Sequence, residues 1–214
     1  MKRVALISVL LAGLAAMAAA PAEASSITFH VQVNTSPLIG NPSGPFSLDF
    51  LLIDGSGTLA VPNSVSVFNI AFIGGGGPVG APTLSGGASG SLSSSVALSD
   101  NLNGLNEFFQ AFTPGTALDF YFTTTNNADP VSPDAFSFAI LDKNLLNLPT
   151  TGGGDSLFVA SLTPALAAAN ILKFSTTAPA GVTVGVTAVP EPATLLLFGT
   201  GIVAAVRQRR RGTK

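Results

Sequence analysis

The sequence predicts a mainly β protein, an antiparallel β-sandwich of jelly-roll-like type, on three observations. Short runs of alternating apolar and polar residues recur along residues 25–188, without a repeated strand-helix pattern. Turn-forming residues separate these runs, since the chain has 23 glycines and 15 prolines. Fifteen phenylalanines supply large apolar side chains for a core between sheets. We expect about nine strands, between an N-terminal signal helix and a C-terminal membrane helix.

The first 24 residues have the three parts of a secretory signal peptide. Lys2 and Arg3 form a basic start, an apolar segment continues to Ala20, and a small-x-small site follows. We therefore expect residues 1–24 to be removed, and a retained N-terminal anchor is the alternative. The residues that define the expected cleavage site are Ala22, Ala24 and Ser25.

The first part of the body predicts three strands and one ambiguous segment. Apolar residues at 27, 29, 31 and 33 alternate with polar ones, which is typical of a half-buried strand. Similar patterns at 46–52 and 64–72 predict two more strands. The run Gly74–Pro78 should contain no regular element. Residues 80–99 are small and rich in Gly and Ser, which indicates either a surface excursion or a weakly packed edge strand.

The second part predicts six further strands and one helical turn. Residues 107–112 and 116–125 flank Thr113-Pro114-Gly115, which predicts an aromatic-rich hairpin with a tight turn. Phe120 and Phe138 are expected to point into the core. The remaining strands are expected at 136–140, 157–162, 171–176 and 182–187, with a helical turn at 164–170.

Charge and cysteine content exclude several classes of function. Residues 25–189 hold nine acidic residues against Lys143 and Lys173, a net charge of −7. Nucleic acid and other polyanions are therefore not expected as partners, because binding to phosphate requires Lys or Arg. The chain has no cysteine, so disulfides, thiol nucleophiles and thiolate metal sites are excluded.

Catalysis is not expected, although one hydrolytic arrangement stays open. His30 is the only histidine and lies on the polar side of the first strand, so a catalytic triad is disfavoured. A glycosidase requires only two carboxylates. The sequence does not select a pair among Asp49, Asp54, Glu107, Asp119, Asp129, Asp134, Asp142 and Asp155.

We predict no metal ligand and no cofactor, and calcium is a minority alternative. Asp54-Gly55-Ser56-Gly57, or Asp129 with Asp134, could supply oxygen ligands to Ca²⁺. Neither group matches the twelve-residue loop of an EF-hand. The glycine run lacks the Gly-Lys-Ser/Thr that completes a phosphate-binding loop. Thr123-Thr124-Thr125 and Thr150-Thr151 have no sustained period, which disfavours an ice-binding face.

The last 26 residues combine a proline-rich start, an apolar run and a basic end. Pro192 suits the first position of a helix, and Glu191 favours the same helix terminus. The apolar run at 193–206 would be about 21 Å long as a helix, against about 30 Å of bilayer hydrocarbon. The basic residues of 207–214 can reach the head groups and stay on the cytoplasmic side. These residues include Arg207, Arg209, Arg210 and Arg211. We therefore predict a membrane helix at 193–206, and a helix buried in the core is the alternative.

Residues 189–214 resemble the PEP-CTERM sorting signal of Gram-negative bacteria that make extracellular polysaccharide. The resemblance is carried by the Pro190-Glu191-Pro192 triplet, the apolar stretch and the arginine-rich terminus. It implies recognition by an exosortase, a membrane-embedded cysteine protease, with processing near the triplet. It also implies a tail of the kind described as an ice-binding-protein C-terminal domain, a label that concerns the tail alone.

The body resembles one recurring type among these proteins, which implies no assigned activity. The likeness is carried by Phe108-Phe109-Gln110-Ala111-Phe112, Gly115-Thr116-Ala117-Leu118-Asp119-Phe120 and Pro133-Asp134-Ala135-Phe136-Ser137-Phe138.

Together these features predict a non-catalytic protein that is exported through the inner membrane. It would be anchored in the membrane transiently and would end at the cell surface or in the extracellular matrix. Expected partners are the exosortase, the membrane and exopolysaccharide. A carbohydrate- or calcium-binding sandwich module is the first alternative, and a hydrolase with paired carboxylates is the second.

Overall fold

The computed structural model describes residues 26–57, 59, 61–127, 132–152 and 154–190. Its strands in chain order are β1 (Ser26–Asn34), β2 (Phe46–Ile53), β3 (Ser64–Ile73), β4 (Gly77–Pro78), β5 (Thr83–Ser85), β6 (Ser89–Gly90), β7 (Val96–Ser99), β8 (Leu105–Thr113), β9 (Ala117–Thr125), β10 (Asp134–Leu141), β11 (Phe158–Leu162), β12 (Leu172–Lys173) and β13 (Thr183–Ala188). Two 3-10 helices, Ser36–Leu38 and Ala168–Asn170, are the helices of the described part.

The strands form two antiparallel sheets that share one apolar core. Sheet A has the order β13-β1-β9-β3-β7-β6, and sheet B has the order β12-β11-β10-β2-β8-β4 with β5 also paired to β8. Buried apolar residues from both sheets belong to a single cluster. The mainly β, antiparallel class is therefore confirmed, and the two sheets support the predicted sandwich. The jelly-roll order stays a prediction.

Alternation along the strands places phenylalanine rings between the sheets. Phe50 of sheet B lies 5.5 Å from Phe120 of sheet A and 5.1 Å from Phe138, measured between ring centroids. Phe122 of sheet A similarly contacts Phe136 of sheet B at 5.0 Å. All five rings are fully buried, and each such burial stabilises the fold by about 2–3 kcal/mol. The inward orientation predicted for Phe120 and Phe138 is confirmed.

The predicted hairpin between residues 107–112 and 116–125 is wrong. β8 pairs with β2 in sheet B, whereas β9 pairs with β1 and β3 in sheet A. The connection therefore crosses from one sheet to the other. Gly115 fits this crossing because a Cβ at that position would overlap the carbonyl oxygen of Ile73. Thr116 N donates to the same carbonyl oxygen at 2.7 Å, which fixes the crossing against β3.

Residues 74–99 contain more regular structure than the sequence predicts. Gly77–Pro78 forms β4, so the glycine run is not wholly irregular. The segment 80–99 holds three short strands, and Leu92, Val96 and Leu98 are buried in the core. The expectation of a weakly packed edge fits β5 and β6, which are exposed edge strands, but it is wrong for β7, which lies between β3 and β6 and is packed on the core.

Two boundaries near the end of the body also differ from expectation. The strand expected at 171–176 is reduced to Leu172–Lys173, followed by an isolated bridge between Thr150 and Thr176. The helical turn expected at 164–170 is a 3-10 helix at Ala168–Asn170. The predicted signal and membrane helices lie outside the described residues. Within the described part, no helix has the length and apolar character needed to cross a bilayer.

Candidate functional site

The predicted sorting triplet begins directly where the described sandwich ends. β13 is an edge strand of sheet A and pairs with β1, and its last residue, Ala188, lies opposite Phe29. Val189 N extends this ladder by donating to the carbonyl oxygen of Thr28 at 2.9 Å. Pro190 has no N–H and cannot continue the ladder. The triplet therefore follows the folded sheet without an intervening linker.

The outer face of sheet A carries a groove lined by hydroxyl groups. The groove has a volume of about 420 Å³. Its hydroxyl-bearing side chains are Ser26, Ser64, Ser66, Ser89, Ser99, Thr123 and Thr125. The other lining residues are Gly, Ala, Val and Leu, so the described lining has no charged side chain. We call this feature the hydroxyl groove.

Strand register explains why these hydroxyl groups lie together. Thr123 of β9 lies between Thr28 of β1 and Ser66 of β3, and the Thr28 and Thr123 hydroxyl oxygens are 2.8 Å apart. Thr125 is held differently, since its hydroxyl donates to the Asn63 side-chain oxygen at 2.8 Å. Ser66 is exposed, and within the described part its hydroxyl has no hydrogen-bond partner. The groove therefore presents both fixed and free hydroxyl groups.

Next to the groove, three rings form a row across three strands. His30 of β1 stacks on Tyr121 of β9 at 4.5 Å between centroids, and Tyr121 stacks on Phe68 of β3 at 5.9 Å. The three residues are opposite one another in the sheet register and are half-buried. We call them the ring row. Sequence alternation placed His30 on the polar side correctly, but it did not reveal the row.

His30 is engaged in a polar contact beside the ring row. Its Nε2 lies 2.6 Å from Oδ1 of Asp119, and the Gln32 amide donates to Oδ2 of the same carboxylate at 3.2 Å. This is the contact within salt-bridge distance found among the described residues. The carboxylate thus has a partner on both oxygens. Within the described part of the chain, no serine hydroxyl makes a hydrogen bond to His30.

One end of the sandwich buries three aspartates, which we call the acid cluster: Asp54, Asp100 and Asp134. Asp134 accepts hydrogen bonds from Gly55 N at 3.0 Å and from the Asn63 amide at 2.6 Å. Asp100 Oδ1 accepts from Asn63 N at 2.7 Å, while its buried Oδ2 has no hydrogen-bond partner among the described residues. Burial, with the proximity of Asp134, raises the pKa of Asp100 to about 7.

Asp54 has a different role in the same cluster, because its carboxylate closes a turn. Oδ1 accepts from Ser56 N, the Ser56 hydroxyl and Gly57 N, each at 2.9 Å, and Oδ2 accepts from Leu59 N at 2.8 Å. Burial alone would raise its pKa, but these hydrogen bonds outweigh burial and lower the pKa. The carboxylate of Asp54 thus closes the turn through both of its oxygens.

A second carboxylate pair lies on the outer face of sheet B. Asp49 is 6% exposed, and its buried Oδ1 has no hydrogen-bond partner in the part of the chain that the structure describes. Burial and the nearby Glu107 raise the pKa of Asp49 to about 7. Of the carboxylates that the sequence leaves open, the structure brings Asp49 close to Glu107, and it places Asp134 beside Asp100, which was not among them. Neither pair borders the hydroxyl groove.

The described residues contain no group of three or more His, Asp or Glu side chains suited to a metal ion. Asp129, the proposed partner of Asp134 in a calcium site, lies outside the described residues. Sequence reasoning did not single out Asp100. Asp100 follows the alternating strand Val96–Ser99 directly. An aspartate at the end of a strand is usually a solvated turn residue, so this position did not indicate burial.

Most residues predicted for sorting lie outside the described part. This applies to Ala22, Ala24 and Ser25, to Glu191 and Pro192, and to Arg207, Arg209, Arg210 and Arg211. Pro190 is described and is exposed at the end of the sandwich. The cleavage and membrane predictions that depend on the other residues therefore stay predictions.

Comparison with known proteins supports the sorting signal and leaves the body without a family. A family model described as the PEP-CTERM protein-sorting motif matches residues 188–211. Neither the curated proteins nor the solved structures gave a match to the chain. The match begins at the final residue of β13 and covers the proline triplet, the apolar run and the arginines. The motif implies export, transient membrane anchoring and processing by an exosortase. The chain thus carries a PEP-CTERM protein-sorting motif at residues 188–211.

Proposed function

We propose that this chain is a non-catalytic surface or extracellular-matrix protein that an exosortase delivers. The single observation that carries the proposal is the sorting motif at residues 188–211, which starts on the edge strand of the sandwich. The motif accounts for export and processing. The sandwich would be the part that remains outside the cell, in association with exopolysaccharide.

The position of the motif supports separate roles for the sandwich and for the tail. The described residues form one apolar core cluster that draws on both sheets. The apolar run at 193–206 would enter the bilayer, and the basic residues at 207–214 favour the cytoplasmic side. Processing near the triplet would separate the folded sandwich from its anchor.

The chemistry of the body supports a non-catalytic role. The sole histidine is stacked on Tyr121 and paired with Asp119, and the chain has no cysteine. The carboxylate oxygens of Asp54 accept hydrogen bonds within its own turn, which disfavours calcium at the first segment that the sequence suggested. The proximity of Asp49 to Glu107 keeps a hydrolase as the alternative, because a glycosidase requires two carboxyl groups.

Sorting is tested by fractionating cells with and without the exosortase, followed by mass spectrometry of both protein termini. We expect Ser25 at the N-terminus in both strains. With the exosortase, the C-terminus should lie near the triplet and the protein should be outside the cell. Without it, the full tail should remain and the protein should stay in the membrane fraction. The same mass and distribution in both strains would contradict the proposal.

Variants separate the parts of the tail. Glu191→Ala should leave the protein unprocessed in the membrane, whereas Thr194→Ala, which lies outside the triplet, should be processed normally. Replacing Arg209, Arg210 and Arg211 by Gln should weaken retention on the cytoplasmic side. Normal processing of both the Glu191 and the arginine variants would show that the tail does not direct sorting.

A further inference from the structure

We infer that the outer face of sheet A is a binding face for an uncharged, hydroxyl-rich polysaccharide, with the hydroxyl groove and the ring row as its two halves. The inference deepens the proposed function, on which it rests, by naming the class of partner and the surface that contacts it.

The hydroxyl groove matches the polar groups of a neutral sugar chain. Sugar hydroxyls both donate and accept hydrogen bonds, and serine and threonine side chains do the same. Ser66 is exposed on β3, and its hydroxyl is free within the described part. Thr123 is fixed by Thr28 at 2.8 Å and is therefore oriented before a ligand arrives. A groove with fixed and free hydroxyl groups favours a ligand that carries many hydroxyl groups.

The ring row supplies the apolar contact that a polar groove lacks. The C–H groups of a sugar ring can pack against aromatic rings, whose faces carry a partial negative charge. Tyr121 has a ring on both sides, so it presents its edge and hydroxyl to the solvent. Phe68 is at the end of the row, and β7 begins only opposite Val67. Among the described residues, Tyr121 is the ring that contacts Phe68, so the exposed part of the half-buried Phe68 ring is the expected stacking surface.

Charge determines which polysaccharides fit this face. The carboxylate of Asp119 is paired with His30 and bonded to Gln32, and the groove lining contains no charged side chain. The body as a whole carries a net charge of −7. A polyanion would therefore be repelled without a local cation to attract it. A neutral polymer is not repelled by the net negative charge and needs no local cation to bind. We therefore assign a neutral polysaccharide to this face.

The test is affinity electrophoresis of the full chain in a mild non-ionic detergent. One gel contains the neutral exopolysaccharide fraction of the producing cells, freed of charged polymer by anion exchange. A second gel contains alginate, a polyanion, and a third contains no polymer. We expect retardation by the neutral fraction alone. Equal mobility in all three gels, or equal retardation by alginate, would overturn the inference.

Two variants and one control localise binding. Ser66→Gln should fill the groove and weaken retardation at least tenfold, and Tyr121→Ala should do the same by breaking the row. Ser85→Gln is the matched control, because Ser85 is an exposed serine on a short strand of sheet B. Far-UV circular dichroism checks that each variant folds. If Tyr121→Ala unfolds, Ser66→Gln still tests the inference, because Ser66 is exposed and its replacement should leave the fold intact. Unchanged binding by a folded Ser66→Gln variant would overturn the inference.

The experiments also distinguish self-association of the chain, and failure of sorting, from failure of polysaccharide binding. If Ser66→Gln changes the oligomeric state in size-exclusion chromatography and no polymer binds, the face is a contact between copies of the chain, and the inference fails. Binding in detergent requires neither the exosortase nor a particular location. Loss of binding with normal sorting would thus refute this inference alone, and normal binding with failed sorting would refute the proposed function alone.

Discussion

Replacing Asp49 by Asn is expected to flatten the dependence of folding stability on pH. Asp49 lies on the outer side of β2, opposite Ala139 of β10 and Phe109 of β8 in the register. It is nearly buried, and Oδ1 has no hydrogen-bond partner. Burial, reinforced by the negative charge of Glu107, raises its pKa from the usual 3.8 to about 7.

The sign of the effect follows from which state binds the proton more tightly. The folded protein holds the proton of Asp49 up to about pH 7, whereas the unfolded chain releases it near pH 4. Stability is therefore lost as the pH rises between these two values. The difference between 3.8 and about 7 corresponds to about 4 kcal/mol, nearly all of which is lost between pH 4 and pH 8.

Urea denaturation followed by far-UV circular dichroism, at intervals from pH 4 to pH 8, measures this difference. Wild type should lose about 4 kcal/mol more than Asp49→Asn over the range. The raised pKa of Asp100 acts in the same direction but is present in both proteins. Asp142→Asn is the control, because hydrogen bonds from Leu146 N and Asn144 lower the pKa of this exposed carboxyl. That control should keep the alkaline loss. Parallel curves for wild type and Asp49→Asn would show that Asp49 ionises normally.

Three further predictions concern the core, the buried amide and calcium. Phe138→Ala should lower the free energy of unfolding by about 3–5 kcal/mol, and Phe109→Ala, half-exposed on the outer face, by about 1 kcal/mol; equal losses in urea denaturation would contradict the assigned faces. Asn63→Ala should cost about 2–3 kcal/mol because it strips Asp134 and Asn127 N of their partner, whereas the exposed Asn144→Ala should cost under about 0.5 kcal/mol. Millimolar Ca²⁺ should leave the melting temperature unchanged, and a rise that Asp54→Asn abolishes would refute this.

The faces of the strands could be predicted from the sequence because alternation is a local property. A period of two places Phe120 and Phe138 inward whichever strand lies beside them. The tail was predictable for a similar reason, since its proline triplet, apolar run and arginines are contiguous. The short strands within 74–99 escaped prediction because small residues give alternation little contrast.

Pairing between strands could not be predicted, since it depends on distant parts of the chain. β8 and β9 each have one buried face, and a hairpin or a crossing between sheets satisfies that pattern equally well. The ring row requires β1, β9 and β3 to align, although His30 and Tyr121 are far apart in sequence. Asp100 is likewise ordinary in sequence and becomes unusual only when folding buries it beside Asp134.

The continuity of β13 with the sorting motif limits where the chain can be severed. A scissile bond upstream of Thr183 would strip the outermost strand from β1 and leave that strand's amide and carbonyl groups open to pairing with other molecules. A scissile bond after Val189 would spare every rung of the ladder. The released form should therefore retain Val189, and a mature C-terminus found before Ala188 would mean that the sheet is trimmed after it has formed.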